Sequence, residues 1–319
     1  MNALRKHLDE YLALRRGLGF ELARCESRLR NFAGYLAKKH ADWITVPQVV
    51  DYVMRPVGRS ANTQAGYLAA IRGFTKYLSG IDPRTEIPPL GMVRRDRRPQ
   101  PFIYSEREIV QLLDAARTCR SIHRYALKPD TFHCLIGLLT VTGMRVGEAL
   151  SLKPEEIDWA QGVVTVGRAK YQKTRLIPLH ASTLRQLRTY DGLRQRFFAE
   201  RPWLRPAHRF FVSAYGGPLT ATEVGYDFRR LTRRIGLRDP GAHRGPRIHD
   251  LRHRFAVATL LRWYRSGRKV DPLLPVLSTY MGHVSITGTY WYLTCTPELM
   301  AAAGARMEAR WKGGNHAQR

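Results

Sequence analysis

Two arginines, a lysine, two histidines and a tyrosine stand in an order suited to work on a phosphate: Arg145, Lys170, His249, Arg252, His283 and Tyr292. Arg145 follows Thr142-Gly143-Met144 and opens an apolar pattern carried by Val146, Ala149 and Leu150. A guanidinium at a helix N-terminus puts a bidentate fork and backbone N–H groups before the same anion. Glu148, three residues on, shares that face and could orient the arginine. Taken alone, the pair reads better as a surface ion pair contributing about 0.2–0.5 kcal/mol. His249 and Arg252 are also three apart, and Leu251, Phe255 and Ala258 line another side of the same helical pattern. One side packs while the other presents an imidazole and a guanidinium. His249 and His253 have the four-residue spacing of zinc-binding helices, but Asp250 stands where those helices carry a glutamate base, and Arg252 would repel a cation. Phosphate therefore ranks above metal.

The remaining candidates lie in a turn and near the end of the chain. Lys170 sits in Gly167-Arg168-Ala169-Lys170-Tyr171-Gln172-Lys173-Thr174-Arg175, between the β-type runs Val163–Val166 and Leu176–Leu179. From charge alone it reads as a solvated turn. His283 follows a helix-ending Gly282, and Tyr292 comes nine residues later in the aromatic run Tyr290-Trp291-Tyr292. A helix turns about 100° per residue, so Tyr290 and Tyr292 point to nearly opposite sides and only one can face a phosphate. Where Tyr292 is that one, Tyr290, with Trp291 or alone, is expected to pack and fix the helix. A tyrosine hydroxyl titrates near pH 10 when unperturbed, so a nucleophilic tyrosine needs a base and nearby positive charge.

Together, Thr142-Gly-Met-Arg145-Val-Gly-Glu148, Lys170 five residues before Arg175-Leu-Ile-Pro-Leu, His249-Asp-Leu-Arg252-His, Met281-Gly-His283 and Tyr292 resemble the motifs of the tyrosine recombinase (phage integrase) family. The resemblance covers about residues 102–293, including the nine-residue step from His283 to Tyr292. One departure is the hairpin, often Gly-Lys-Gly in the family and Arg168-Ala169-Lys170-Tyr171 here, which leaves Lys173 as a substitute for Lys170. The resemblance implies that Arg145 and Arg252 clamp the phosphate and that Tyr292 forms a 3′-phosphotyrosyl bond. It further implies that His249 takes the tyrosine proton, Lys170 protonates the leaving 5′ oxygen, and His283 bonds the phosphate or buttresses Tyr292. No metal or other cofactor is called for, because the arginines supply the positive charge. The implied substrate is double-stranded DNA, worked on by a homo-oligomer, a tetramer on two DNA sites, with other recombinases as possible partners. The run from Trp263 to Tyr280 and on through Gly288-Thr-Tyr-Trp-Tyr-Leu resembles transposon-type integrases and implies site-specific recombination or integration for a mobile element. Two other readings stand beside it: a type IB topoisomerase-like strand transferase, and a non-catalytic DNA-binding accessory protein of the same fold.

Composition agrees with a polyanionic partner. Lys and Arg number 53 against 26 acidic residues, a formal net charge of +27 spread along the whole chain. Four widely spaced cysteines form no CxxC pair, which argues against a disulfide framework or zinc ribbon and fits a reducing cytosol. No apolar run approaches membrane length and the N-terminus lacks a signal-type apolar core, so the expected location is the cytoplasm, on the nucleoid.

Periodicity gives the elements that must position these residues. The expected fold is mainly α with a small β-sheet or hairpin in the catalytic domain; the resemblance adds a two-domain C-shaped clamp around DNA. Residues 1–81 read as a helical, basic domain similar to the family's core-binding domain. Leu4, Leu8 and Leu12 share one face, Phe20, Leu29, Phe32 and Leu36 another, and Ser60 caps a helix striped by Tyr67, Ile71, Phe74 and Leu78. Residues 82–101, with three prolines before Arg94-Arg95-Asp96-Arg97-Arg98-Pro99, read as a linker. Residues 102–319 form the catalytic domain, with Ser105 and Glu108 as a capping box, a buried helix around Phe132–Val141, and helices near 182–199, 221–235 and 249–264. A tail helix over Ala301–Arg310 has no evident partner helix in the chain. It would dock on a neighbouring protomer or pack on its own domain.

Overall fold

The computed structural model describes residues 3–20, 22–55, 58–94, 96, 100–118, 127–169, 173–213, 215–242, 244–283, 285–293 and 296–314. The chain divides into two compact units, Met1–Pro99 and Gln100–Arg319.

The first unit is built from α1 (Ala3–Gly17), α2 (Ala23–Lys38), α3 (Val46–Met54) and α4 (Ala61–Leu78). Its core joins Leu4, Leu8 and Leu12 to Leu29, Phe32 and Leu36, and both sets to Ile71, Phe74 and Leu78. Ser60 accepts from the Thr63 amide at 3.3 Å, as an N-cap does. The periodicity missed α3, which has only nine residues. Its start is nonetheless written in the chain: Thr45 and Gln48 form a capping box and Pro47 sits in the first turn. Val49 and Val53 bring α3 into the core. Beyond α4 the chain folds back on the same unit. Glu86 accepts from the Val46 amide at 2.6 Å and its own amide donates to the Ile44 carbonyl, while Met92 and Val93 lie against the core. Proline-rich sequence here marks a fitted strap: the prolines have no N–H to satisfy, and the Pro88 carbonyl accepts from Arg72 Nη1.

The second unit begins with α5 (Glu106–Arg117), whose Ser105–Glu108 capping box forms as expected. It continues with α6 (Lys128–Thr142), buried on nearly every face, and the short α7 (Val146–Ser151). The strands β1 (Ile157–Asp158), β2 (Val163–Ala169) and β3 (Lys173–Pro178) form an antiparallel sheet in the order β1-β2-β3. Val164 pairs with Ile177 and Val166 with Arg175, and the register shifts between Val166 and Ala169. Val164, Val166 and Ile177 turn into the core, so the alternation of the hairpin fixes which face Arg175 occupies. Then follow α8 (Ala181–Ala199), α9 (Ala221–Arg234), α10 (Asp250–Arg265), α11 (Leu274–Tyr280), α12 (Thr287–Leu293) and α13 (Pro297–Gly314).

The unit is mainly helical with one small sheet, as the patterns predict. Its large core gathers Leu135, Leu139, Val164, Ile177, Tyr190, Phe210 and Phe211. A second cluster joins Val257 and Leu260 of α10 to Leu274, Leu277, Met281, Tyr292 and Leu299. The tail helix finds its partner within the chain, on α10. Leu299 is fully buried there, and Arg306 donates to the Arg268 carbonyl. No helix among the described residues is long and apolar enough to cross a membrane.

Candidate active site

The site is built where α6, α7, β3, α10 and the turn after α11 meet. α6 ends at Gly143, which takes the left-handed conformation (φ 61°) and lets the chain reverse into Met144-Arg145. Arg145 is then the N-cap of α7. Its amide donates to Glu148 Oε2 at 2.8 Å and its Nη1 to Glu148 Oε1 at 2.7 Å, so the capping carboxylate also aims the guanidinium.

α11 ends at the turn Met281-Gly282, with Gly282 at φ 63°. Its last carbonyls are not left to solvent. Three consecutive carbonyls each accept from a different arginine. Tyr280 O takes Arg175 Nε at 2.9 Å, Met281 O takes Arg252 Nη2, and Gly282 O takes Arg145 Nη2 at 2.6 Å. Cations are favoured at a helix C-terminus, whose free carbonyls carry partial negative charge. Here that preference assembles the site, because α11 draws together guanidiniums from β3, α7 and α10. A side chain at Gly282 would have its Cβ 2.8 Å from Arg175 Nη1 and 3.3 Å from Arg145 Nη1, so glycine is needed for both approach and backbone.

Arg252 is buried at 3 % exposure and also donates from Nη1 to the Gly143 carbonyl at 2.7 Å. Burial, then the nearby Arg145 charge, pull its pKa down to about 10, which leaves it fully charged at neutral pH. Two of its five N–H donors go to these carbonyls. Glu148 sits between Arg145 and Arg175. Burial would raise its pKa, but hydrogen bonds from Arg175 and Arg145 outweigh burial and hold it below the usual carboxylate range.

His249 stands at the N-cap position of α10 and keeps part of its ring at the surface, while its other side is desolvated against the site. Burial, then the Arg252 charge, lower its pKa, so the ring favours the neutral form. Its ring meets that of His253 edge-on at 5.0 Å. His283 Nδ1 lies 2.7 Å from Thr289 Oγ1, which turns the imidazole toward α12, and its ring stacks at 5.9 Å on Tyr292.

Tyr292 is 2 % exposed and Tyr290 48 % exposed, on opposite sides of α12 as the 100° rule requires. Of the two residues expected to pack and fix the helix, Tyr290 stands half in solvent. Trp291 does the packing, with its ring 5.2 Å from that of His253. The Tyr292 hydroxyl lies 3.3 Å from His253 Nδ1.

Five of the six sequence candidates, Arg145, His249, Arg252, His283 and Tyr292, thus fall in one neighbourhood. Lys170 lies outside the described residues, as does the side chain of Lys173. Sequence reasoning gave no role to Arg175 and considered His253 only as a metal ligand. Among the described residues no group of three or more His, Cys, Asp or Glu is placed to hold a metal ion.

The model of the phage integrase family matches residues 103–298, the stretch that carries every one of these side chains. The chain belongs to the phage integrase family. This tyrosine recombinase is similar along its whole length to a putative integrase/recombinase, y4rB, of Sinorhizobium fredii, 41% identical over 98% of this chain and 99% of that one. It is 32% identical to the tyrosine recombinase XerD of Rhizobium meliloti, over 74% of this chain and 70% of the relative. Among solved structures, the recombinase shares its fold with the Tn1549 transposon integrase bound to transposon right-end DNA. There the TM-score is 0.65 and the identity 18%, over 95% of this chain and 98% of that one. As a member of this family it is an enzyme of DNA strand cutting and rejoining, and it binds DNA.

Proposed function

We propose that this tyrosine recombinase performs site-specific recombination for a mobile element, and that Arg145, Lys170, His249, Arg252, His283 and Tyr292 carry the reaction. The observation that carries this reading is the pair of adjacent carbonyls, Met281 O and Gly282 O, that hold Arg252 and Arg145 side by side next to His283. Two forks held together in a partly buried site can meet both non-bridging oxygens of one phosphodiester, where attack builds negative charge.

In the proposed step, the Tyr292 oxygen attacks phosphorus in line. A P–O(Tyr) bond forms as the P–O5′ bond breaks. The tyrosine proton passes to the imidazole pair, in which His253 is the ring nearest the hydroxyl and His249 stands beside it. Lys170 gives a proton to the departing 5′ oxygen, and His283 supports Tyr292. One phosphate ester replaces another, so a 5′-hydroxyl from a second duplex can reverse the step without an energy source. Exchange between two duplexes breaks and remakes four strands, and each protomer supplies one nucleophile; this supports a tetramer on two DNA sites as the active assembly. The whole-length similarity to an integrase/recombinase supports the mobile-element role, and action on chromosomal DNA implies a cytoplasmic, nucleoid location.

The test uses nicked duplexes selected from a random-sequence pool by covalent capture on the wild-type chain. On the selected duplex, wild type and Tyr290→Phe should both give an adduct stable to denaturant. Tyr292→Phe should bind equally and give none. An adduct retained in Tyr292→Phe would overturn the assignment.

A further inference from the structure

Arg175 lies on β3, is not among the residues given a role above, and its side chain is almost wholly buried. Burying a guanidinium is costly unless its donors are matched, and here all three kinds of nitrogen are used. Nη1 and Nη2 meet the two oxygens of Glu148 at 3.1 and 2.6 Å, and Nε meets the Tyr280 carbonyl at 2.9 Å. The first contact reaches the carboxylate that aims Arg145, and the second reaches the start of the turn that carries His283. We propose that Arg175 is a positioning residue for strand cleavage, holding Arg145 through Glu148 and His283 through the Tyr280 carbonyl. This inference rests on the catalytic reading above and adds to it a residue that touches no substrate.

The physical argument has two parts. Glu148 accepts from both Arg145 and Arg175. Arg145, Glu148 and Arg175 together carry one net positive charge. Without Arg175 that charge is cancelled, and Glu148 competes with the phosphate for the donors of Arg145. The second part is geometric. Arg175 and Arg145 both pass close over Gly282 and hold carbonyls two residues apart, so the turn between them is fixed from both sides. A guanidinium does both jobs at once because its fork and its Nε point in fixed, different directions; an ammonium can do one or the other.

The experiment is single-turnover cleavage by the full chain on the captured nicked duplex, with binding measured separately. Arg175→Met should bind within about threefold of wild type and cleave roughly 100-fold more slowly, the scale expected when a reacting group is displaced by about 1 Å. Arg175→Lys keeps a charge beside Glu148, protecting the fold, and should recover part of the rate but not all of it. Arg175→Ala leaves a guanidinium-sized gap, and added methylguanidinium should restore cleavage. Combined with Arg145→Ala, Arg175→Met should add only the part of its loss that runs through His283, well short of its full single effect, because residues that act as a unit are not additive. Losses that multiply, or a wild-type rate in Arg175→Lys and Arg175→Met, would overturn the proposal. If Arg145→Ala itself cleaves normally, the catalytic reading fails instead, and the two failures are told apart.

Discussion

The Tyr292 hydroxyl and His253 Nδ1 lie 3.3 Å apart, inside a cluster that excludes solvent from both side chains. That contact brings an imidazole nitrogen, which accepts a proton in the neutral Nε2–H tautomer, to a hydroxyl which, unaided, is ionised at neutral pH in only about one molecule in a thousand. Removing a positioned acid–base group typically costs a factor of about 10² to 10⁴. His253→Gln should therefore bind DNA as wild type does and form the covalent adduct slower by about that factor. Rapid-quench measurement of adduct formation checks it; an unchanged rate would show that the contact serves packing alone.

His249 gives a pH signature. Burial and the Arg252 charge lower its folded-state pKa below the ordinary value of 6.5. Between those two values the unfolded chain takes up a proton that the folded chain refuses, so stability falls as pH drops below about 6.5 and levels off beneath the folded value. Above that window the contribution is flat. Urea unfolding at about pH 7.5 and about pH 5.5 should show His249→Gln losing less stability than wild type over the same interval. Equal losses would show that the ring titrates alike in the folded and unfolded chain.

Gly143 should tolerate no side chain. It has φ 61°, and a Cβ there would stand 2.5 Å from Phe255 Cδ1. Gly143→Ala should lower stability by more than about 1 kcal/mol, from backbone strain and the clash together. It should also slow cleavage, because the Gly143 carbonyl holds Arg252. Thermal unfolding and single-turnover rates would report the two effects separately.

The leaving group distinguishes the two hairpin lysines. Sulfur in place of the bridging 5′ oxygen departs without a proton. Lys170→Ala should be slow on ordinary DNA and near wild type on the sulfur substrate, and Lys173→Ala should show no such rescue. The reverse pattern would assign the role to Lys173.

Binding should depend steeply on salt. With 53 basic residues and a net charge of +27, several phosphates are neutralised at once. Affinity should fall by roughly 10³-fold or more between about 50 and 200 mM salt if six or more phosphates are contacted. Titration by fluorescence anisotropy at several salt concentrations gives the slope directly.

Much of this site could be read before any coordinates, for a physical reason. Arg145 with Glu148, and His249 with Arg252, are local pairs whose spacing alone puts them on one helix face. The pitch of a helix says that only one of Tyr290 and Tyr292 can face the site, and the nine-residue step from His283 that the family resemblance implies selects Tyr292. The roles of Arg175 and His253 could not be read this way. Arg175 meets its carbonyl 105 residues away, and His253 meets its hydroxyl 39 residues away. No local rule links such positions. Arg175 also looked like one more charge on a basic hairpin, and only its burial separates it from its neighbours. Helix α3 failed for the opposite reason: its signal was local but too short to show a period.

The unequal exposure of the site's groups sets an order in time. Arg145 keeps 37 % of its side chain in solvent, while Tyr292 keeps 2 % of its surface there. A passing phosphate can reach the guanidinium but not the hydroxyl. α12 is seven residues long, too short to hold its place by its own hydrogen bonds, so the apolar contacts of Tyr292 and its neighbours keep it seated. Those contacts must loosen before oxygen and phosphorus can meet. On the proposed mechanism the enzyme grips first and cuts second, and between the two events it can release a wrong sequence unbroken.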